Sequence, residues 1–231
     1  MLPFMTDDRA HNIVLAFWPM LKAGIVVSIP MAIVSFLIGM ILALIVALIR
    51  VVPNKGITIK LLRAIARSYV SIIRGTPMLV QLCIVFYGLP ALNIVIDPIP
   101  AAIIAFSLNV GAYCSETVRA AILSVHKGQW EAGYSIGMTY LQNFRHIIIP
   151  QAVRVAVPPL SNEFINLFKG TSLASFVTVT ELFREASQAG NRTYDFLPVY
   201  IEAAMLYWFF CTILFVLQAR LEKRLGKHIA V

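Results

Sequence analysis

The chain has 231 residues, 59% of them hydrophobic and 13% charged, and its mean hydropathy is +0.82. These values exclude an ordinary soluble globular domain and indicate an integral membrane protein. The net charge of +8 fits cytoplasmic loops that obey the positive-inside rule and meet anionic lipid headgroups, so it gives no reason to invoke nucleic acid.

In chain order, residues 1–22 read as an external N-terminal segment. Asp7 and Asp8 stand where a cleaved signal would carry positive charge, and Asn12–Met20 suits a short helix lying on the outer surface. Ala23 to Ile49 is an uncharged run of 27 residues and Gly75 to Ile96 one of 22, each as long as the roughly 20 residues a spanning helix needs. Between them, "RVVPNKGITIKLLR" is a basic turn broken at Pro53 and Gly56. In "RGTPMLVQL", Thr76 suits an N-cap and Pro77 the first helical position. A helix starting there reaches only Tyr87, so Leu61–Ile73 must supply the rest of a span interrupted near Gly75–Pro77. "GLPALNIVIDPIP" then reads as an external loop.

Pro98 to Ser115 is a third uncharged run, and Ala203 to Ala219, extended by Phe196–Ile201 across Glu202, is another. Ile147–Phe168 carries Arg154, Glu163 and two asparagines, so it reads as a helix buried in protein, interrupted by Pro158 and Pro159. The expected fold is all-α, with about five transmembrane helices in a single transmembrane domain over 1–231. An odd number of spans puts the termini on opposite sides. An N-terminus outside and C-terminus cytoplasmic leaves twelve Lys and Arg inside against four outside. Cys83, Cys114 and Cys211 fall in different spans with no redox or metal spacing, and His11, His126, His146 and His228 form no cluster.

Residues 128–146 are too polar to cross a bilayer and too ordered for a plain linker. Glu131 suits a helix start, Ala132 and Gly133 are small, Gly137 weakens the helix, and Thr139 with Gln142 forms a capping box. The outcome is a bent pair of short helices leading to Pro150, shaped as a knob for a cytoplasmic partner. Glu131-Ala132-Gly133, three residues, Gly137, nine residues, then Ile147-x-Ile149-Pro150 resembles the EAA loop of ABC importer permeases, with Gly133 replacing Ala and Ile149 replacing Leu. "RGTPMLVQL", "GAYCSETVRAAI", "KGQWEAG", "PQAVRVAVPPLSNEFINLFKGTSLAS" and "ELFREASQ" extend the resemblance to the polar amino acid branch over most of residues 60–220.

The resemblance implies the type I importer core in a cell membrane, with Glu131, Ala132, Gly133, Gly137, Thr139 and Arg145 coupling to two ATP-binding cassette subunits. It also implies a second permease copy or paralogue and an extracellular or periplasmic substrate-binding protein. This chain has no phosphate-binding glycine loop, so ATP and Mg belong to the partner, and the subunit is not itself an enzyme. Residues 87–113 look most like permeases for L-cystine and related sulfur amino acids, with arginine, glutamine, glutamate or histidine as alternatives. An ion-coupled carrier is a more distant one.

Ionisable groups in spans are costly and point to function. Asn109, Tyr113 and Glu116 share one helical face, as do Asn162, Asn166 and Lys169, with Glu163 alongside. These seven are candidates for the substrate path: Lys169 or Arg154 for a carboxylate and Glu163 for an ammonium. Glu116 also lies one turn from Arg119 and suits a structural pair with it. Glu181, Arg184 and Glu185 are candidate contacts for the binding protein, and Glu202 is expected to snorkel or pair near the outer end of the last span.

Overall fold

The computed structural model describes residues 7–53 and 56–226. It is all helical: α1 (Asp7–Ala23), α2 (Ile29–Val51), α3 (Ile57–Arg74), α4 (Met78–Cys83), α5 (Pro98–Ser124), α6 (Lys127–Ser135), α7 (Tyr140–Asn143), α8 (Ile149–Gly170), α9 (Leu182–Thr193) and α10 (Phe196–Gly226). Single π-helical turns follow α1, α4 and α7, and 3₁₀ turns cover Leu89–Leu92 and Thr171–Val177.

Among the described residues, three helical stretches are long and apolar enough to cross a membrane: Val14–Val51, Pro98–Ser124 and Phe196–Arg224. The interrupted pair Ile57–Arg74 and Met78–Leu92 makes a fourth. This is one short of the expected five. The missing one is α8, which has 22 residues but whose Arg154, Ser161, Asn162, Glu163, Asn166 and Lys169 make it too polar. Two further expectations are corrected here. Asn12–Met20 is no separate surface helix, because α1 runs through the π turn at Gly24–Ser28 into α2. Pro158 and Pro159 lie inside α8 without ending it. The expected interruption at Gly75–Pro77 is present, but the Thr76 hydroxyl donates back to the Ile72 carbonyl at 2.9 Å.

The chain forms two compact units. The first gathers, of the described residues, 7–36, 78–106 and 165–215. Within it α1 packs against α9, with Met20, Leu182 and Ala186 fully buried, and the Phe168 ring lies 5.7 Å from Tyr207 and 5.8 Å from Phe210. α9 starts at Glu181, whose carboxylate accepts from the backbone N–H groups of Phe183 (2.9 Å) and Arg184 (2.7 Å) and from the Tyr207 hydroxyl (3.1 Å). The exposed amides of a helix's first turn are satisfied in this way.

The second unit gathers, of the described residues, 37–53, 56–77, 107–164 and 216–226. Its core joins Ala47, Val118, Ile122, Phe144, Ile148 and Ala152, and a smaller cluster joins Val46, Ala66 and Val70. Arg63 donates to the carbonyls of Ile49 and Val52, closing the C-terminal end of α2. Beside it, Glu116 on α5 is gripped by two arginines. One oxygen accepts from Arg50 of α2, and the other from Arg119 Nε at 3.1 Å and Nη2 at 3.0 Å.

The polar stretch between α5 and α8 folds as a hairpin. The Nδ1 of His126 accepts from the Gly128 amide at 3.1 Å and caps α6. Glu131 therefore sits mid-helix, not at the helix start the sequence suggested. Gly137 then adopts φ +81°, a left-handed conformation that favours glycine. The capping box is present: the Thr139 amide donates to Gln142 Oε1 at 2.9 Å, and the Gln142 amide to Thr139 Oγ1 at 3.4 Å. Inside the hairpin, Trp130, Tyr140 and Phe144 stack with centroids 5.4–6.1 Å apart, and buried Asn143 donates to the Trp130 carbonyl at 2.7 Å.

That asparagine explains Gly133. A Cβ at position 133 would lie 2.4 Å from Asn143 Nδ2, so the glycine makes room for the chain's own side chain. Gly133→Ala is expected to destabilise the hairpin by about 2 kcal/mol, the usual cost of overpacking. Gly133→Ala/Asn143→Ala should recover part of that loss, read as slower protease cleavage within 127–148 than in the single variant. Glu116→Gln, which leaves Arg50 and Arg119 facing each other unneutralised, should lower thermal stability by about 3 kcal/mol; an unchanged unfolding transition in reconstituted protein would show the cluster to be idle.

Candidate functional site

The second unit brings three polar side chains together. Arg74, the last residue of α3, holds its guanidinium carbon 5.4 Å from the centre of the Tyr113 ring on α5, within cation–π range. Glu163 on α8 is half-buried and within electrostatic range of Arg74. The helix break after Arg74 positions it: α3 ends at Gly75 before Pro77, so the guanidinium is carried on a helix end. Arg74 keeps exposed surface.

An α-amino acid presents a carboxylate and an ammonium. A planar guanidinium accommodates the first in a two-pronged arrangement, and a carboxylate the second. Arg74 and Glu163 supply that pair, with the Tyr113 face beside them.

Arg74 was not singled out by the sequence, which offered Lys169 or Arg154 for the carboxylate. The signal was available: it is the charged residue directly ahead of the break in "RGTP". Arg154 is half-buried on α8, and Lys169 is exposed further along that helix.

The other path candidates are distributed as follows. Asn109 and Tyr113 are half-buried on α5. Glu116 has both oxygens engaged by arginines, so it is a clamp within the unit and not a free receptor for an ammonium. On α8, Asn162 is exposed and its Oδ1 accepts from Gln218 Nε2 at 3.3 Å, while Asn166 continues the exposed stripe towards Lys169.

In the hairpin, Glu131, Ala132, Gly137, Thr139 and Arg145 are exposed and Gly133 is buried. The expectation that Gly133 lets a partner surface approach is therefore corrected, since Asn143 occupies that space. Among the candidate contacts for a binding protein, Glu181 is 0% exposed and caps α9, so it presents no surface. Arg184 is half-buried and donates to the Ser175 carbonyl at 3.3 Å. Glu185 lines a cavity of about 780 Å³ together with Trp18, Lys22 and Thr180.

Residues 58–227 match the family described as binding-protein-dependent transport system inner membrane component. The L-cystine transport system permease protein TcyB of Bacillus subtilis is 55% identical over 216 residues, covering 93% of this chain and 90% of TcyB. The arginine transport system permease protein ArtQ of the same organism is 35% identical over 211 residues, covering 91% and 94%. Among solved structures, a crystal structure of an amino acid ABC transporter with histidines superposes with a TM-score of 0.84 at 32% identity, over 91% of this chain and 96% of the other. An inward-facing MetNI methionine transporter shares the fold at TM-score 0.65 and 18% identity, over 96% and 99%. The chain therefore belongs to the family of binding-protein-dependent inner membrane transport components, as a non-catalytic, multi-pass permease subunit that forms the translocation path of an amino-acid ABC importer.

Proposed function

We propose that this permease carries L-cystine or a related sulfur amino acid, and that Arg74 and Glu163 receive the substrate's carboxylate and ammonium. The observation that carries the reading is the guanidinium over Tyr113 with Glu163 in electrostatic range. The 55% identity to an L-cystine permease over nearly the whole chain supports the sulfur amino acid over arginine, glutamine, glutamate or histidine. Asn109, Tyr113, Asn162, Asn166 and Lys169 are the remaining polar groups of the proposed path.

Residues 1–231 act in this reading as one permease domain with the N-terminus outside and the C-terminus cytoplasmic, as the asymmetry of Lys and Arg favours. The polar helix α8 crosses against protein and not lipid. The hairpin at 128–146 is the coupling element, offering exposed Glu131, Ala132, Thr139 and Arg145 to an ATP-binding cassette subunit on each half of the transporter. A second permease, identical or paralogous, completes the pore, and Arg184 and Glu185 face the substrate-binding protein. ATP-driven closure of the ATPase pair draws the hairpins together and opens the path outward, and hydrolysis reverses it.

Cells with and without the chain, given labelled cystine and excess unlabelled arginine, glutamine or histidine, test the substrate. Uptake is expected to depend on the chain and to resist those competitors; collapse with the ion gradient at full ATP would instead favour an ion-coupled carrier. Arg74→Lys keeps the charge but loses the two-pronged geometry, and should lower uptake about tenfold, the equivalent of roughly 1.4 kcal/mol. Glu131→Lys should uncouple transport from ATP hydrolysis and weaken co-purification of the ATPase, leaving the thermal stability of the permease unchanged.

A further inference from the structure

Glu202 neither snorkels nor pairs. It is 9% exposed, and its Oε2 is buried without a hydrogen-bond partner. Glu202 lines a cavity of about 650 Å³ whose other walls among the described residues, including Phe17 and Leu21 of α1 and Met205, Leu206 and Phe209 of α10, are apolar. A buried acid without a donor is costly, so the chemistry of this slot calls for a donor from outside the chain.

The surroundings narrow the choice. An ordered water requires two to four polar partners, and a hard metal cation requires several oxygen ligands, whereas among the described residues the slot offers a single carboxylate. The α10 face beside it exposes Ile201, Met205 and Phe209, as a helix does against acyl chains. Glu202 is six residues along α10 from Phe196, about 9 Å at 1.5 Å per residue. Tyr194, Phe196 and Tyr200 are exposed at that end of the helix, as aromatic residues are where headgroups give way to hydrocarbon.

We propose that this slot between α1 and α10 binds a bilayer lipid whose headgroup carries a primary ammonium. The ammonium donates to the Glu202 carboxylate, and an acyl chain lies along Phe17, Leu21, Met205 and Phe209. A choline headgroup has no N–H to give, so the site selects phosphatidylethanolamine over phosphatidylcholine.

The test uses the full chain reconstituted with equal parts of the two lipids carrying identical acyl chains, and counts the lipid retained after extraction by native mass spectrometry. The expected result is about tenfold enrichment of phosphatidylethanolamine, the factor given by one charge-assisted hydrogen bond, falling to none in Glu202→Gln. Leu21→Trp, which fills the slot and leaves the carboxylate in place, should remove the retained lipid. Equal retention of both lipids by the unaltered protein overturns the proposal whether or not the Gln variant folds. So does enrichment that survives Glu202→Gln, displacement of the lipid by soluble phosphoethanolamine alone, or a slot that retains no lipid because a second copy of the chain covers it.

Discussion

A carboxylate among the helices of a membrane protein has to find its hydrogen bonds from other protein groups, from water or from lipid, and this requirement sorts the acids of this chain by role. Glu116 is fully matched, with one oxygen on Arg50 and the other on Arg119, and it fixes α2 to α5. Glu181 is matched by two backbone amides and a tyrosine hydroxyl, and it fixes the start of α9. Glu163 feels Arg74 only at a distance. Glu202 keeps an oxygen unmatched. Structural acids are those the fold has already satisfied; the incompletely satisfied ones are available to a substrate or a lipid.

The hairpin between α5 and α8 follows a different logic. It stands among the more polar parts of the chain, so packing against hydrocarbon cannot hold it. Its order comes instead from its own aromatic stack, from Asn143 bonded to the Trp130 carbonyl and from two local caps. A rigid hairpin transmits a push better than a flexible loop, because displacement at an exposed residue such as Glu131 reaches Ile148 and the base of α8 through packed side chains.

Features written within a few residues were legible in the sequence. The Thr139–Gln142 box, the break ahead of Pro77 and the long apolar runs all rest on local chemistry, and each has a counterpart in the structure. Pairings between distant residues were hidden. Arg50 and Glu116 are 66 positions apart, and periodicity along one helix says nothing about which other helix end supplies a guanidinium. That is also why Arg74 went unrecognised opposite Glu163. Glu181 was misleading for another reason: an acid on an amphipathic stretch resembles a surface contact, and only the tertiary fold brings Tyr207 over it. α8 has the length of a crossing without its apolarity, so length and composition single out four spans where the sequence suggested five.

The contact between position 133 and Asn143 also bears on how such a sequence arises. Alanine at 133 and asparagine at 143 disfavour each other, because the two side chains would claim the same space. Glycine at 133 admits the asparagine, which fills the space and gains a bond to the Trp130 carbonyl. The tolerance of either position to change therefore depends on what the other holds. The departure from the Glu-Ala-Ala pattern is one half of a coupled pair, whose effect is read only when both positions are varied together.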